Sequence, residues 1–401
     1  MKRIFSIIIA VLILTSVVAL PTTVSAATND TNSFKSGKFV KCGGYYFFVN
    51  ANKNGKSTLY RVNSAGKKKK AISNINFCSN DNLLSYKNRI YFNDNKGVMC
   101  YIPKNNKKFY LKKGKYESVG ICNKGIISSD YNTGLTLIRF NKKVKKINSY
   151  SNSYMCSNSK YIFYYSTKEV GSKYKITIKR FNLSKNKSKT ASTLTIKKYG
   201  HSTISCTASH VFKKNIIFSV GSYEGTGLYY NGVVYKMNSI GAGIKKILNS
   251  SVDKFTPGKD CVYGMGQPSY DQNIYECYKI TSNGKCKKVK NISNLRESTS
   301  NDYCIYASRY NKLSENMYIC KVANSKSKKI FNGASFIRSS DPVNAYVNGI
   351  GVGSYGDMAL IEIRVFSPTG GMGWRPLLLR TYTYMVNLKT GSKVLLSTVK
   401  Y

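Results

Sequence analysis

The chain has 401 residues, 64 of them Lys or Arg and only 17 Asp or Glu, for a formal net charge of +47. So few acids leave little material for paired-carboxylate chemistry, and a field this positive attracts polyanions in a salt-dependent way. The two histidines, His201 and His210, flank Cys206 at a spacing that matches no common metal site, so neither a metal nor a cofactor is expected.

Residues 1–26 read as a secretory signal peptide: Lys2 and Arg3, an apolar run from Phe5 to Leu20, then Pro21 and a small-residue ending at Val24-Ser25-Ala26. The apolar run is shorter than the roughly 20 residues that span a bilayer, and no later stretch reaches that length. The expected mature chain is therefore 27–401, secreted or held non-covalently at the cell wall, with no transmembrane segment after the signal, and a monomer.

From Leu59 onward one phrase recurs: an apolar, tyrosine-rich strand, a polar turn, then a lysine pair opening a second strand. It reads LYRVNSAGKKKKAI from Leu59, MCYIPKNNKKFYL from Met99, LIRFNKKVKKI from Leu137, ITIKRFNLSKNKSK from Ile176, VVYKMNSIGAGIKKIL from Val233, YECYKITSNGKCKKV from Tyr275, MYICKVANSKSKKI from Met317 and YTYMVNLKTGSKVLL from Tyr382. Upstream of most copies lies a further alternating strand, such as YYFFVN from Tyr45, RIYFND from Arg89 and YIFYYS from Tyr161, and before it a short apolar stretch. Four antiparallel strands repeating at about 40 to 50 residues indicate an all-β chain folded as one β-propeller. Eight blades are expected, with seven as the alternative. A β-solenoid is disfavoured because its repeats are shorter and its ends need caps, whereas a ring closes on itself.

The strand Ile90-Tyr91-Phe92-Asn93-Asp94 resembles the I-Y-W-T-D strand of the low-density-lipoprotein-receptor-type propellers, and LYRVNSAGKKKK is similar to the hairpin that follows it there. Uncharacterised secreted propellers of Gram-positive bacteria share this look, which implies no common enzymatic activity. The chain departs from the family in its eight units, where six blades are usual, and in its single tryptophan, Trp374.

In a propeller the first strand lines the axis and the fourth forms the rim, so the lysine pairs are assigned to the rim. There they protect exposed strand edges, and they also offer a cationic girdle to an anionic cell-wall polymer or acidic polysaccharide. The irregular loops between second and third strands are longest in the last four units. They carry Tyr223, Glu224, Tyr229, Tyr230, Tyr270, Asp271, Arg309, Tyr310, Trp374 and Arg375, aromatic and polar groups that suit recognition of a glycan or a protein. No specific nucleic-acid recognition is expected.

Eleven cysteines, an odd number, mostly in apolar strand contexts, read as core thiols rather than a disulfide framework, with Cys277 and Cys286 the pair best placed to bridge. SSDYNTGLT from Ser128 reads as a turn, and His201, Cys206 and His210 lack a third orienting group for nucleophilic catalysis. The functional expectation is a secreted, non-enzymatic binding propeller associated with the bacterial cell envelope. The alternative is a polysaccharide lyase or glycoside hydrolase using Glu224 and Asp271.

Overall fold

The computed structural model describes residues 39–401 apart from 52–56, 68, 76–82, 95, 131–133, 150–152, 199–202, 225–227, 268–274, 308–313, 323–325 and 368–375, with backbone alone at 51, 73–75, 130, 203, 207–208, 222–224, 228–231 and 267. The signal-peptide reading of residues 1–26 lies outside them. Among the described residues the chain forms eight four-stranded antiparallel sheets, each from four consecutive strands. The innermost strands are Phe39–Cys42, Leu84–Tyr86, Ser118–Cys122, Tyr154–Ser157, Thr203–Phe212, Ser251–Pro257, Leu295–Ser298 and Tyr346–Tyr355, which define blades 1 to 8. Each contacts its neighbours on both sides, and the first meets the last, so the ring is closed.

The core lies in the gaps between blades, because each sheet buries both faces. Phe47, Phe92 and Tyr101 fill the gap between blades 1 and 2; Phe163, Ile178, Phe218 and Met237 fill that between blades 4 and 5. Among the described residues no strand is shared between the first and last blades, and side chains hold that junction. Phe39, Phe48, Leu360, Met385 and Leu396 pack across it, Asn50 Nδ2 donates to Ser397 Oγ at 2.8 Å, and Lys69 Nζ donates to the Leu396 carbonyl at 2.6 Å.

The recurrent lysine phrase has a geometric cause. In the outermost strand of every blade except the sixth, the register skips one apolar or small residue: Ile72, Leu111, Ile147, Ala191, Ile247, Ile330 and Leu396. Blade 6 shifts register at the same point, between Glu276 and Tyr278. A bulge turns the extra residue out of the strict alternation. Leu111, Ile330 and Leu396 are thereby buried beside exposed lysines such as Lys107, Lys108, Lys328 and Lys329. The outermost edge carries charge and a bulge together, two devices that stop one sheet from pairing with another.

Candidate axial site on blades 6 to 8

A second bulge recurs at the centre of the ring. In blades 3 to 8 the innermost strand skips one residue in the register with its neighbour: Val119, Met155, Thr207, Asp253, Arg296 and Val352. Bulges re-aim a side chain, and two adjacent blades place opposite charges at this one position, Asp253 in blade 6 and Arg296 in blade 7. Innermost strands flank one another around the ring, so the exposure that these side chains retain opens on the axis or its mouths.

Behind the cations lie two buried carboxylates. Arg296 Nη2 donates to both carboxylate oxygens of Glu315 at 2.9 Å and to Asn348 Oδ1 at 3.3 Å. Glu315 also accepts from the Gly349 backbone N–H at 3.1 Å. Lys254 forms an ion pair with Glu297 and donates to the Arg296 carbonyl at 3.1 Å. The Glu297 and Glu315 side chains are each 3% exposed, against 24% for Lys254 and 18% for Arg296, so the cationic side chains retain more contact with solvent than the carboxylates do. Buried carboxylates of this kind are stable only with such partners. Arg296 Nε is buried with no hydrogen-bond partner.

Tyr275, just ahead of the third strand of blade 6, sits in the field of both bulge residues. Burial raises its phenol pKa, Asp253 raises it further and Arg296 opposes both, so the hydroxyl stays protonated and able to donate. The close approach of blade 8 depends on glycine. A Cβ on Gly351 would lie 2.2 Å from the Arg296 carbonyl oxygen and 2.7 Å from Glu297 Cγ, and one on Gly349 would lie 2.4 Å from Met317 Sδ. The GIGVGSYG segment from Gly349 is thus the end of one innermost strand and its turn.

Hydroxyls stitch the surrounding innermost strands together. Ser157 donates to the Ile121 carbonyl, Ser209 to that of Met155, Ser298 to that of Pro257 and Ser354 to that of Ser298, at 2.9, 2.5, 2.6 and 2.7 Å. In each case a strand bonds back to the blade before it. His210, beside Ser209, is buried, and burial lowers its pKa to about 4, so the imidazole is neutral and belongs to the core.

The residues singled out from sequence fall elsewhere. Tyr223 and Glu224 end the second strand of blade 5, and Tyr229 and Tyr230 begin its third, with Tyr223 opposite Tyr229 and Ser222 opposite Tyr230. They continue a long hairpin rather than forming a loop. Tyr270 and Asp271, Arg309 and Tyr310, and Trp374 and Arg375 lie outside the described residues, in the connections between second and third strands of blades 6, 7 and 8. Cys277 and Cys286 do not face each other: Cys277 stands opposite Met265, and Cys286 opposite Ile280. The ten described cysteines are free thiols, all buried except the half-buried Cys206 and Cys286.

Sequence reasoning missed Asp253, Lys254, Arg296, Glu297 and Glu315. The available signal was the pair of charge doublets, Asp253-Lys254 and Arg296-Glu297, at the same place in successive repeats of a chain poor in acids.

No family model matches the sequence, and no curated protein does. Among solved structures the chain is similar to one of two prolyl endopeptidases, at 12% identity and a TM-score of 0.47 over 88% of this chain and 57% of that one. It is similar also to the acylaminoacyl peptidase of Pyrococcus horikoshii, at 11% identity and a TM-score of 0.43 over 88% and 50%. A third is a puromycin-hydrolysing peptidase of Mycobacterium tuberculosis, at 7% identity and a TM-score of 0.45 over 86% and 60%. The chain spans about half to three-fifths of these proteins, and at such identities the likeness is one of fold.

These findings correct the functional expectation. The solved structures named here are peptidases, not envelope-binding or glycan-cleaving propellers, so neither the envelope-binding reading nor the glycan lyase or hydrolase alternative is kept. Among the described residues no helix is long and apolar enough to cross a membrane.

Proposed function

We propose that this chain is a peptide-handling propeller whose axial wall on blades 6 to 8 takes a peptide segment bearing a carboxylate. The single observation that carries this reading is the placement of Asp253 and Arg296 on the same bulge of adjacent innermost strands. A peptide offers both signs of partner at short range: N–H groups or an α-ammonium for Asp253, and a carboxylate for Lys254 and Arg296, whose side chains stay 24% and 18% exposed, with Tyr275 in the field of both bulge residues. A uniformly anionic polymer would meet Asp253 at close quarters, a like-charge contact that disfavours it. The peptidase propellers contribute the architecture alone to this reading.

Titration of the full chain with short synthetic peptides, acidic and amidated, tests it by calorimetry. The expected result is binding of the acidic peptide, weakened at least tenfold by Arg296→Gln combined with Glu315→Gln, which leaves no unpaired buried carboxylate, and unchanged by Lys328→Gln on the rim. Equal binding by the wild type and the folded double variant would overturn the reading. Export directed by residues 1–26 is part of the same proposal, and N-terminal sequencing of the mature protein, expected to begin after Ala26, checks it.

A further inference from the structure

Between blades 6 and 7, Cys261, Cys277, Cys304 and Cys320 pack into one buried cluster. Two of them differ from the rest. Cys304, on the second strand of blade 7 (Tyr303–Ala307), and Cys320, on its third (Met317–Lys321), stand directly opposite each other in the antiparallel register, with their sulfurs 3.3 Å apart. Directly opposed residues of antiparallel strands have Cα atoms about 4.5 to 5.5 Å apart, within the span that a disulfide accepts. No other described cysteine is opposite a second cysteine: Cys277 faces Met265 and Cys261 faces Thr281.

We infer that Cys304 and Cys320 form a dithiol site that a small-molecule disulfide oxidises to a cross-strand disulfide, with Cys320 as the entry thiol and Cys304 as the resolving one. Cys304 is fully buried, whereas Cys320 is 6% exposed and faces Ser327 across the outer ladder, so attack begins at Cys320. Hydrogen bonding from Cys304 lowers the Cys320 pKa, with burial opposing and Ser327 adding to the effect. The thiolate is the attacking species, so this polarity suits the assignment.

The step balances as a dithiol–disulfide exchange. Cys320 gives up its proton and its sulfur attacks one sulfur of the reagent, breaking the reagent's S–S bond, forming a mixed disulfide and releasing one thiol. Cys304 then loses its proton and attacks the Cys320 sulfur, expelling the second thiol. Two electrons pass from the protein to the reagent, which leaves as two reduced thiols.

Oxidised glutathione added to the folded full chain, followed by alkylation in denaturant and peptide mass spectrometry, tests the site. In the wild type the Cys304 and Cys320 peptides should be the first to become linked, with loss of two hydrogens. Cys304→Ser should trap a glutathione adduct on Cys320, and Cys320→Ser should leave Cys304 open to alkylation. A wild-type chain whose Cys304 and Cys320 both remain alkylated, or become linked first to Cys261 or Cys277, would overturn the inference. So would an adduct that forms on Cys304 in Cys320→Ser as fast as on Cys320 in Cys304→Ser.

Discussion

Asp253 and Arg296 are brought to equivalent positions on neighbouring strands by the same one-residue skip in register, and Tyr275 lies within the field of both. Neither charge would reach this place in an unbulged strand, since a shift of one residue moves every later side chain to the opposite face.

The Arg296–Glu315 contact is a buried pair that tolerates no half-removal. Arg296→Met should destabilise the chain by about 3 to 5 kcal/mol, because it removes the ion-pair partner of a Glu315 side chain that is 3% exposed. Arg296→Met combined with Glu315→Gln should recover most of that loss. Urea unfolding of the two variants, compared at the same pH, measures the difference.

Gly351→Ala should disturb the axial wall without touching any charge. The new methyl would lie 2.2 Å from the Arg296 carbonyl oxygen, a backbone atom of an adjacent blade that cannot yield cheaply. A loss of about 1 to 3 kcal/mol is expected, as for other overpacked sites. Peptide affinity should fall in the same variant, and calorimetry reads it.

His210 predicts an acid limb of stability. Its folded pKa is about 4, below the ordinary value of 6.5, so the unfolded chain binds the proton more readily. Stability from this group is complete above pH 6.5 and is lost as the pH falls toward 4, by roughly 3 kcal/mol in all. Denaturation midpoints of wild type and His210→Gln, measured across that window, should differ in slope, with the variant flatter.

A second buried pair clips the segment after blade 7 onto blade 8. Arg380 donates through Nη1 to Asp341 at 2.6 Å and through Nη2 to the Phe336 carbonyl at 3.2 Å, and the Arg338 backbone N–H donates to Asp341 at 2.8 Å. The guanidinium of Arg380 holds the Asp341 pKa below its ordinary value, with burial opposing and the Arg338 N–H adding to the effect. Asp341→Asn should cost about 3 kcal/mol or more at neutral pH, and less at a pH low enough to protonate the wild-type carboxylate. Thermal melts at two pH values separate these cases.

Ring closure rests on packing, so it should be sensitive to one methyl cluster. Leu396→Ala removes a side chain shared by blades 1 and 8 and should cost about 2 to 5 kcal/mol. Native-state hydrogen exchange should show the loss at the junction of those blades before the rest of the ring.

Much of this architecture was legible in the chain. The phrase ending in Lys-Lys-Ile at Lys145 or Lys328 specifies an outermost strand, since two exposed lysines and one inward apolar residue are what a bulged edge requires. The GSYEGTGLYYNG segment was misread because its glycines signal a loop, whereas cross-strand pairing extends the hairpin through Tyr223 and Tyr229. The Cys277 and Cys286 pair was misread for a similar reason: nearness across a turn does not set register, and Cys286 stands opposite Ile280.

By itself the sequence determined the class of fold and the number of repeats, because periodicity and edge chemistry are local and recur eight times. Only the tertiary structure decided which charges meet on the axis. Asp253 lies in blade 6 and Arg296 and Glu315 in blade 7, and their placement depends on a register shift in each innermost strand and on a glycine-tight contact with blade 8, neither of which a single repeat encodes. The same holds for Cys304 and Cys320, whose opposition is a property of strand pairing rather than of spacing.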